Sequence, residues 1–158
     1  MKGPRIVDRG LLDSVTECAR NSPRKRKNFN FHPSEAAIAH RLLNAVEPGS
    51  YIPPHRHLDP NKDESIVIVR GRLGALFFDD AGTVMQTHVL EPEGERVGVD
   101  VPYGTWHTFV ALQPGTVFFE AKAGPYVPMT SAERAPWAPA EGDAHAPAYL
   151  AELHRHFG

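Results

Sequence analysis

The chain has 158 residues, a 41% hydrophobic share and a formal net charge of −2. That length suits one domain around one core, and the apolar content sets it apart from disordered chains. The near balance of charge excludes the basic footprint that nucleic acid or an anionic membrane would require of a partner.

Cys18 is the single cysteine, so no internal disulfide can form, which fits a reducing compartment. The N-terminal MKGPRIVDRG has no apolar signal core, and no apolar run reaches a membrane span. A cytoplasmic protein without a membrane partner is expected. Fifteen prolines and thirteen glycines imply many turns between short strands, and nine histidines fit a metal protein.

In chain order, residues 10–20 place Leu11, Leu12, Val15, Cys18 and Ala19 at helical spacing, and Asn21-Ser22-Pro23 stops that helix. Cys18 is expected as a small buried hydrophobe on its apolar face. The basic run Arg24 to Lys27 reads as a solvated face, with an anionic group on a substrate or partner subunit as the second choice. Strands are expected over 37–47, through His55 and His57, and over 64–70 and 73–79. A hairpin turn at Asp79-Asp80-Ala81-Gly82 leads to strands over 83–90, 95–101, 105–111 and 116–122. About eight short strands without helical crossovers predict an all-β sandwich or closed barrel. Residues 124–147 read as an ordered, irregular arm anchored by Trp137, and 147–157 as a helix with Leu150, Leu153 and Phe157 on one face. This divides the chain into an N-terminal helix and arm (1–33), a barrel (34–124) and a C-terminal arm and short helix (125–158) within one domain.

The chemistry concentrates in GSYIPPHRHLDPNKDESIVIVRG, residues 49–71. Alternate residues of a strand share a face, so His55 and His57 can reach one ion while Arg56 points away. Glu64 opens the next strand and can turn back towards them. Asp59 and Asp63 compete as the carboxylate, but they sit in turn chemistry, whereas Glu64 has a strand position and a fixed distance to Gly71. His107, in PYGTWHTF, supplies a fourth ligand after a turn. Three imidazoles and one carboxylate suit one divalent transition metal: iron, manganese, nickel, cobalt, copper or zinc. A second His-x-His, His154-Arg155-His156, falls on the C-terminal helix, where residues i and i+2 do not share a face, so it is set aside. His32, His40, His88 and His145 are expected to be structural.

GSYIPPHRH(x6)E(x6)G resembles the first cupin motif, and PYGTWH resembles the core of the second. The gap between His-x-His and Glu is two residues longer than the family pattern, and Ala111 stands where the second motif usually has Asn. RKNFNFH, HRLLNAVEPGSYIPPHRH, FDDAG, WHTFVAL, FFEAKAGPY and WAPAEGD together resemble the WbuC family of cupin-fold metalloproteins. The resemblance implies a jelly-roll β-barrel with the metal site inside and a role in bacterial O-antigen or polysaccharide metabolism.

Around the expected metal ligands, Arg41, Asn44, Tyr51, Lys122 and Tyr126 are candidate substrate-binding residues, and Glu120 is a candidate catalytic acid or base. Together they describe a polar pocket for a sugar or another small oxygenated ligand. The expected activity is metal-dependent isomerisation, epimerisation or oxygenation; the alternative is a non-catalytic metal-dependent binding or sensing module. The run Ile66 to Val69, apolar on both faces, further leads us to expect cover from the N-terminal helix or from a second subunit in a homodimer.

Overall fold

A computed structural model describes residues 3–158. Helix α1 (Arg9–Asn21) precedes eight strands: β1 (Arg26–Asn30), β2 (Ala39–Val46), β3 (Glu64–Arg70), β4 (Leu73–Phe78), β5 (Val84–Leu90), β6 (Gly98–Val101), β7 (Trp106–Ala111) and β8 (Thr116–Ala123). A single 3-10 turn (Ser131–Glu133) and helix α2 (Ala146–Arg155) follow. The strands form a five-stranded sheet, β1-β2-β8-β3-β6, and a three-stranded sheet, β5-β4-β7, with antiparallel pairing throughout. This is the expected all-β jelly-roll architecture.

Strand alternation divides the apolar residues among three layers. Between the sheets lie Ile66, Ile68, Leu73, Leu90, Phe109 and Phe118. The outer face of the large sheet presents Leu43, Ala45 and Val117 to Leu12, Val15 and Ala19 of α1. The outer face of the small sheet presents Leu76, Phe78, Trp106 and Val110 to Leu150 and Leu153 of α2. Each helix thus buries its apolar stripe on the back of one sheet. Asp8 caps α1, its carboxylate accepting from the Leu11 N–H at 2.9 Å.

Four expectations change. No strand runs through His55 and His57: His55 forms only isolated bridges to His107 and Arg134. Pro53 and Pro54 lack the N–H donors a ladder needs, so the segment is extended without being a strand. Residues 26–30 instead form the edge strand β1, so the large sheet begins before residue 34. Phe29 of this strand packs towards the α1 layer. The strand expected over 95–101 is confined to Gly98–Val101. Cys18 is exposed, because α1 turns Leu12, Val15, Thr16 and Ala19 inward and leaves the thiol beside that stripe.

Of the apolar run in β3, Ile66 and Ile68 face the core and Val69 is partly covered by the α1 layer, while Val67 stays 47% exposed. His154 Nε2 lies 3.0 Å from the Pro48 carbonyl and ties α2 to the barrel, consistent with a structural histidine. His32 and His40 stack at 4.0 Å and are also held by backbone contacts. No helix among the described residues is long and apolar enough to cross a membrane.

Gly71 turns β3 into β4 with φ of 82°, and a Cβ there would lie 2.5 Å from Thr116 Oγ1 and 2.7 Å from Thr116 Cα. Both the left-handed backbone and the close approach require glycine. Gly71→Ala should therefore lower unfolding free energy by roughly 1–3 kcal/mol, measured by urea denaturation; an unchanged midpoint would contradict this account of the turn.

Candidate metal centre

The two histidine segments are held together by their backbones. The His55 N–H donates to the His107 carbonyl at 3.1 Å, and the His107 N–H donates back at 3.0 Å. Farther along, the Gly104 N–H donates to the His57 carbonyl at 2.6 Å. Arg56 points away, as the alternation requires, with its guanidinium 4.2 Å from the Trp106 ring centroid. The long 58–63 loop is fixed by its own aspartates. Asp59 Oδ1 accepts from the Asn61 N–H at 2.9 Å, and Asp63 Oδ1 accepts from the Tyr103 N–H at 2.8 Å. Both rival carboxylates are thus engaged in turns, and Glu64 at the start of β3 is the one that enters the centre.

His55, His57, Glu64 and His107 each offer one donor atom, and these atoms all lie within 4.8 Å of one another. His57 Nε2 is 2.9 Å and His107 Nε2 3.6 Å from Glu64 Oε2. The tautomers follow from local contacts. His55 Nδ1–H donates to the Pro53 carbonyl at 3.0 Å, and His107 Nδ1–H donates to the Thr105 carbonyl at 2.9 Å. In both, a carbonyl two residues upstream takes the Nδ1 proton, leaving Nε2 as a lone-pair donor.

Electrostatics favour the ligating forms. Burial, reinforced by His107, lowers the His55 pKa to about 3, so the ring is neutral. Burial alone would raise the Glu64 carboxyl, but the adjacent His107 ring, the His57 hydrogen bond and the charge of Lys122 hold it well below its ordinary value. The fit to a metal rests on one further fact: His107 Nε2 is buried and has no hydrogen-bond partner. An orphaned buried nitrogen costs about 1–3 kcal/mol, and a divalent ion among these donors would satisfy it. Three imidazoles and a carboxylate could hold such an ion.

A cavity of about 890 Å³ opens beside the cluster, with His55 and Glu64 in its wall. Asn44, Glu120, Lys122 and Tyr126 line the same cavity. The Asn44 amide donates to Glu120 Oε2 at 2.8 Å, and Lys122 Nζ lies 2.8 Å from Glu120 Oε1. Burial and the nearby Glu64 carboxylate raise the Glu120 pKa, against the pull of Lys122 and Asn44. Burial would lower Lys122, but the charges of Glu120 and Glu64 outweigh it and raise its pKa.

Arg41 and Tyr51 do not join this group. Arg41 alternates with Leu42 onto the exposed face of β2. Tyr51 is buried beside Tyr149 and donates its hydroxyl to the Pro139 carbonyl at 2.7 Å. The structure adds residues that the sequence reading passed over. Asn28 and Asn30 of β1 line the cavity beside Arg26, whose basic run has an anionic group as its second reading, and only strand alternation beyond that run could have marked the two asparagines. Glu133 places Oε2 3.9 Å from His57 Nδ1, and no local motif announces it.

Two outcomes test the centre. Elemental analysis should find one transition metal per chain, and His57→Ala and His107→Ala should lose it while retaining the fold; a wild-type chain that cannot be loaded would contradict the reading. In the metal-free protein, the unfolded chain protonates His55 near pH 6.5, whereas the folded chain resists until about 3. The unfolded state therefore binds more protons across that window, and stability falls as pH falls by up to about 1.4 kcal/mol per pH unit. His55→Gln should flatten this slope in denaturation curves collected from pH 7 to pH 4.

Comparison with solved structures gives the fold independently. KdgF from Halomonas sp. aligns with a TM-score of 0.51 at 17% identity, over 68% of this chain and 85% of its own. A cupin superfamily protein from Desulfitobacterium hafniense aligns with a TM-score of 0.51 at 14% identity, over 69% and 86%. CapF, a capsular polysaccharide assembling protein from Staphylococcus aureus, aligns with a TM-score of 0.52 at 18% identity, over 64% of this chain and 27% of its own. The architecture is thus that of the cupin fold. No curated protein shows significant sequence similarity. A family model described as a domain of unknown function, DUF6016, matches residues 7–90. That match contains His55, His57 and Glu64 and covers more than half of the chain, which therefore belongs to the DUF6016 family.

Proposed function

We propose that this protein binds one divalent transition metal through His55, His57, Glu64 and His107 and acts on a small polar, sugar-like substrate in the adjoining cavity. The observation that carries this reading is the shared wall: two of the four donors, a buried carboxyl of raised pKa and a lysine all face one cavity. When bound, the ion would supply Lewis acidity towards a substrate oxygen. Glu120 would hold or release a proton nearer neutrality than an exposed carboxyl does. Asn44 and Lys122 would fix its orientation, and Lys122 with Tyr126 would meet the substrate's oxygens. A proton carrier beside a Lewis acid fits isomerisation or epimerisation better than oxygenation.

The resemblance to the WbuC family supports O-antigen or related polysaccharide metabolism as the setting. CapF, by its name a polysaccharide-assembling protein, supports this only through the shared fold. The reading also includes a homodimer, because Val67 and Val97 stay 47% exposed near the β3–β6 edge. Sedimentation tests that part.

One observation favours a second reading, a non-catalytic metal-dependent binding module: both Glu120 oxygens are already engaged, by Asn44 and Lys122. Incubation of the metal-loaded protein with nucleotide sugars and O-antigen precursors, followed by NMR, separates the two. Under the first reading Glu120→Gln lowers turnover roughly 100-fold or more with metal content unchanged. Binding without turnover by the wild type supports the second, and absence of both refutes each.

A further inference from the structure

At the other end of the cavity from the donor cluster, three side chains form an arrangement that the proposed chemistry does not use. Glu141, on the irregular segment before α2, presents its carboxylate to two arginines. Arg24 donates from Nε at 2.8 Å and from Nη2 at 3.1 Å. Arg26 donates from Nη1 at 3.0 Å and from Nη2 at 2.7 Å. Four charge-assisted bonds therefore converge on one carboxylate, two from each guanidinium, the geometry with which arginine takes up carboxylates and phosphates.

The clamp is built from the barrel side. The Arg26 side chain is only 14% exposed, and its Nη1 also reaches Ser50 Oγ at 3.3 Å and the Tyr51 carbonyl at 3.2 Å. Ser50 in turn donates to the Arg24 carbonyl at 2.7 Å. Arg26 thus has supports that do not depend on Glu141. The carboxylate side is less committed: the Glu141 side chain is 35% exposed and is followed by Gly142 at φ of 84°. Charge does not balance either. Two guanidiniums face one carboxylate, and Lys27 lines the same cavity. A single carboxylate leaves positive charge over, whereas a phosphate monoester, a dianion with three acceptor oxygens, would neutralise it.

We propose that Arg24 and Arg26 form a phosphate subsite of this cavity and that Glu141 occupies it as an internal surrogate, exchanged for the phosphate group of the substrate. This deepens the reading of a metal-dependent sugar-directed protein, since it makes the substrate a phosphorylated one whose phosphate sits remote from the metal ligands. Large separation is built into the sheet: Arg26 on β1 and Glu64 on β3 lie three strand spacings apart, about 14 Å across the sheet. The substrate must therefore be extended.

Titration calorimetry of the full chain with inorganic phosphate at low ionic strength tests the subsite directly. Glu141→Gln should bind phosphate at least tenfold more tightly than the wild type, since the charged competitor is gone. Adding Arg26→Met to that variant should abolish the gain. Acetate, a carboxylate probe, should bind Glu141→Gln more weakly than phosphate; the reverse order overturns the assignment to phosphate. Equal phosphate affinity in wild type and Glu141→Gln makes the clamp a structural tie and overturns the proposal. If Glu141→Gln fails to fold, the wild type must itself bind phosphate and lose at least fivefold affinity in Arg24→Met, and failure of either overturns it too. His107→Ala separates the readings: it should lose metal and keep phosphate binding, so each site can fail alone.

Discussion

The structure is organised around a lone pair that its own chain does not satisfy. His107 Nε2 is sealed inside the barrel with its Nδ1 proton already committed to Thr105. A buried acceptor in that state is tolerated when something outside the polypeptide completes it. The surrounding architecture delivers three more donors to the same point from two segments: His55 and His57 from one extended loop and Glu64 from the start of β3. Layering does the rest. α1 and α2 cover the outer faces of the two sheets, so the space between the sheets can hold polar groups at one end and an apolar core at the other.

Polarity within the cavity is graded rather than uniform. Closest to the donors stands an Asn–Glu–Lys chain, in which burial and the Glu64 charge push the glutamate towards holding its proton, while the Glu120 and Glu64 charges keep the lysine protonated against its own burial. Beyond it come the asparagines of β1, and then the arginine pair clasping Glu141. The same sheet, read strand by strand, therefore presents proton chemistry next to the metal ligands and fixed positive charge away from them. Register determines this order: Glu64 pairs opposite Lys122, Leu42 opposite Glu120 and Asn28 opposite Asn44, so one face of β1, β2, β8 and β3 carries the strand-borne members of the series.

Much of this was legible from residue spacing. The ligands could be named because His-x-His, a strand-initiating Glu and a post-turn His carry chemistry in their types as well as their positions. Gly71, Asp79 to Gly82 and the β-branched runs marked the strands for the same reason. What spacing could not supply was whatever depends on distant partners. The β1 strand was masked by charge, because four basic residues in a row give a solvated signal even when alternate ones turn inward. Tyr51 and Arg41 were placed near the site by sequence proximity to it, but strand parity sends Arg41 outward and an apolar neighbour holds Tyr51 behind the small sheet. Glu133 and Glu141 come from a segment without periodicity, so only the folded chain brings Glu133 to His57 and Glu141 to the cavity. Cys18 shows the limit of helical spacing, where a residue at the border of a stripe can fall on either side.

Pro53 and Pro54, which keep the His-x-His segment out of the sheet, also act before the sheet exists. Proline confines φ in the unfolded chain as well as in the folded one, and it restricts the residue ahead of it. Two successive prolines therefore remove much of the backbone freedom immediately upstream of His55, and folding has correspondingly less entropy to lose there. A glycine-flanked pair of ligands would have to be ordered entirely by the metal or the barrel. Here the covalent chain does part of that ordering itself, and the first two ligands arrive at the barrel already extended.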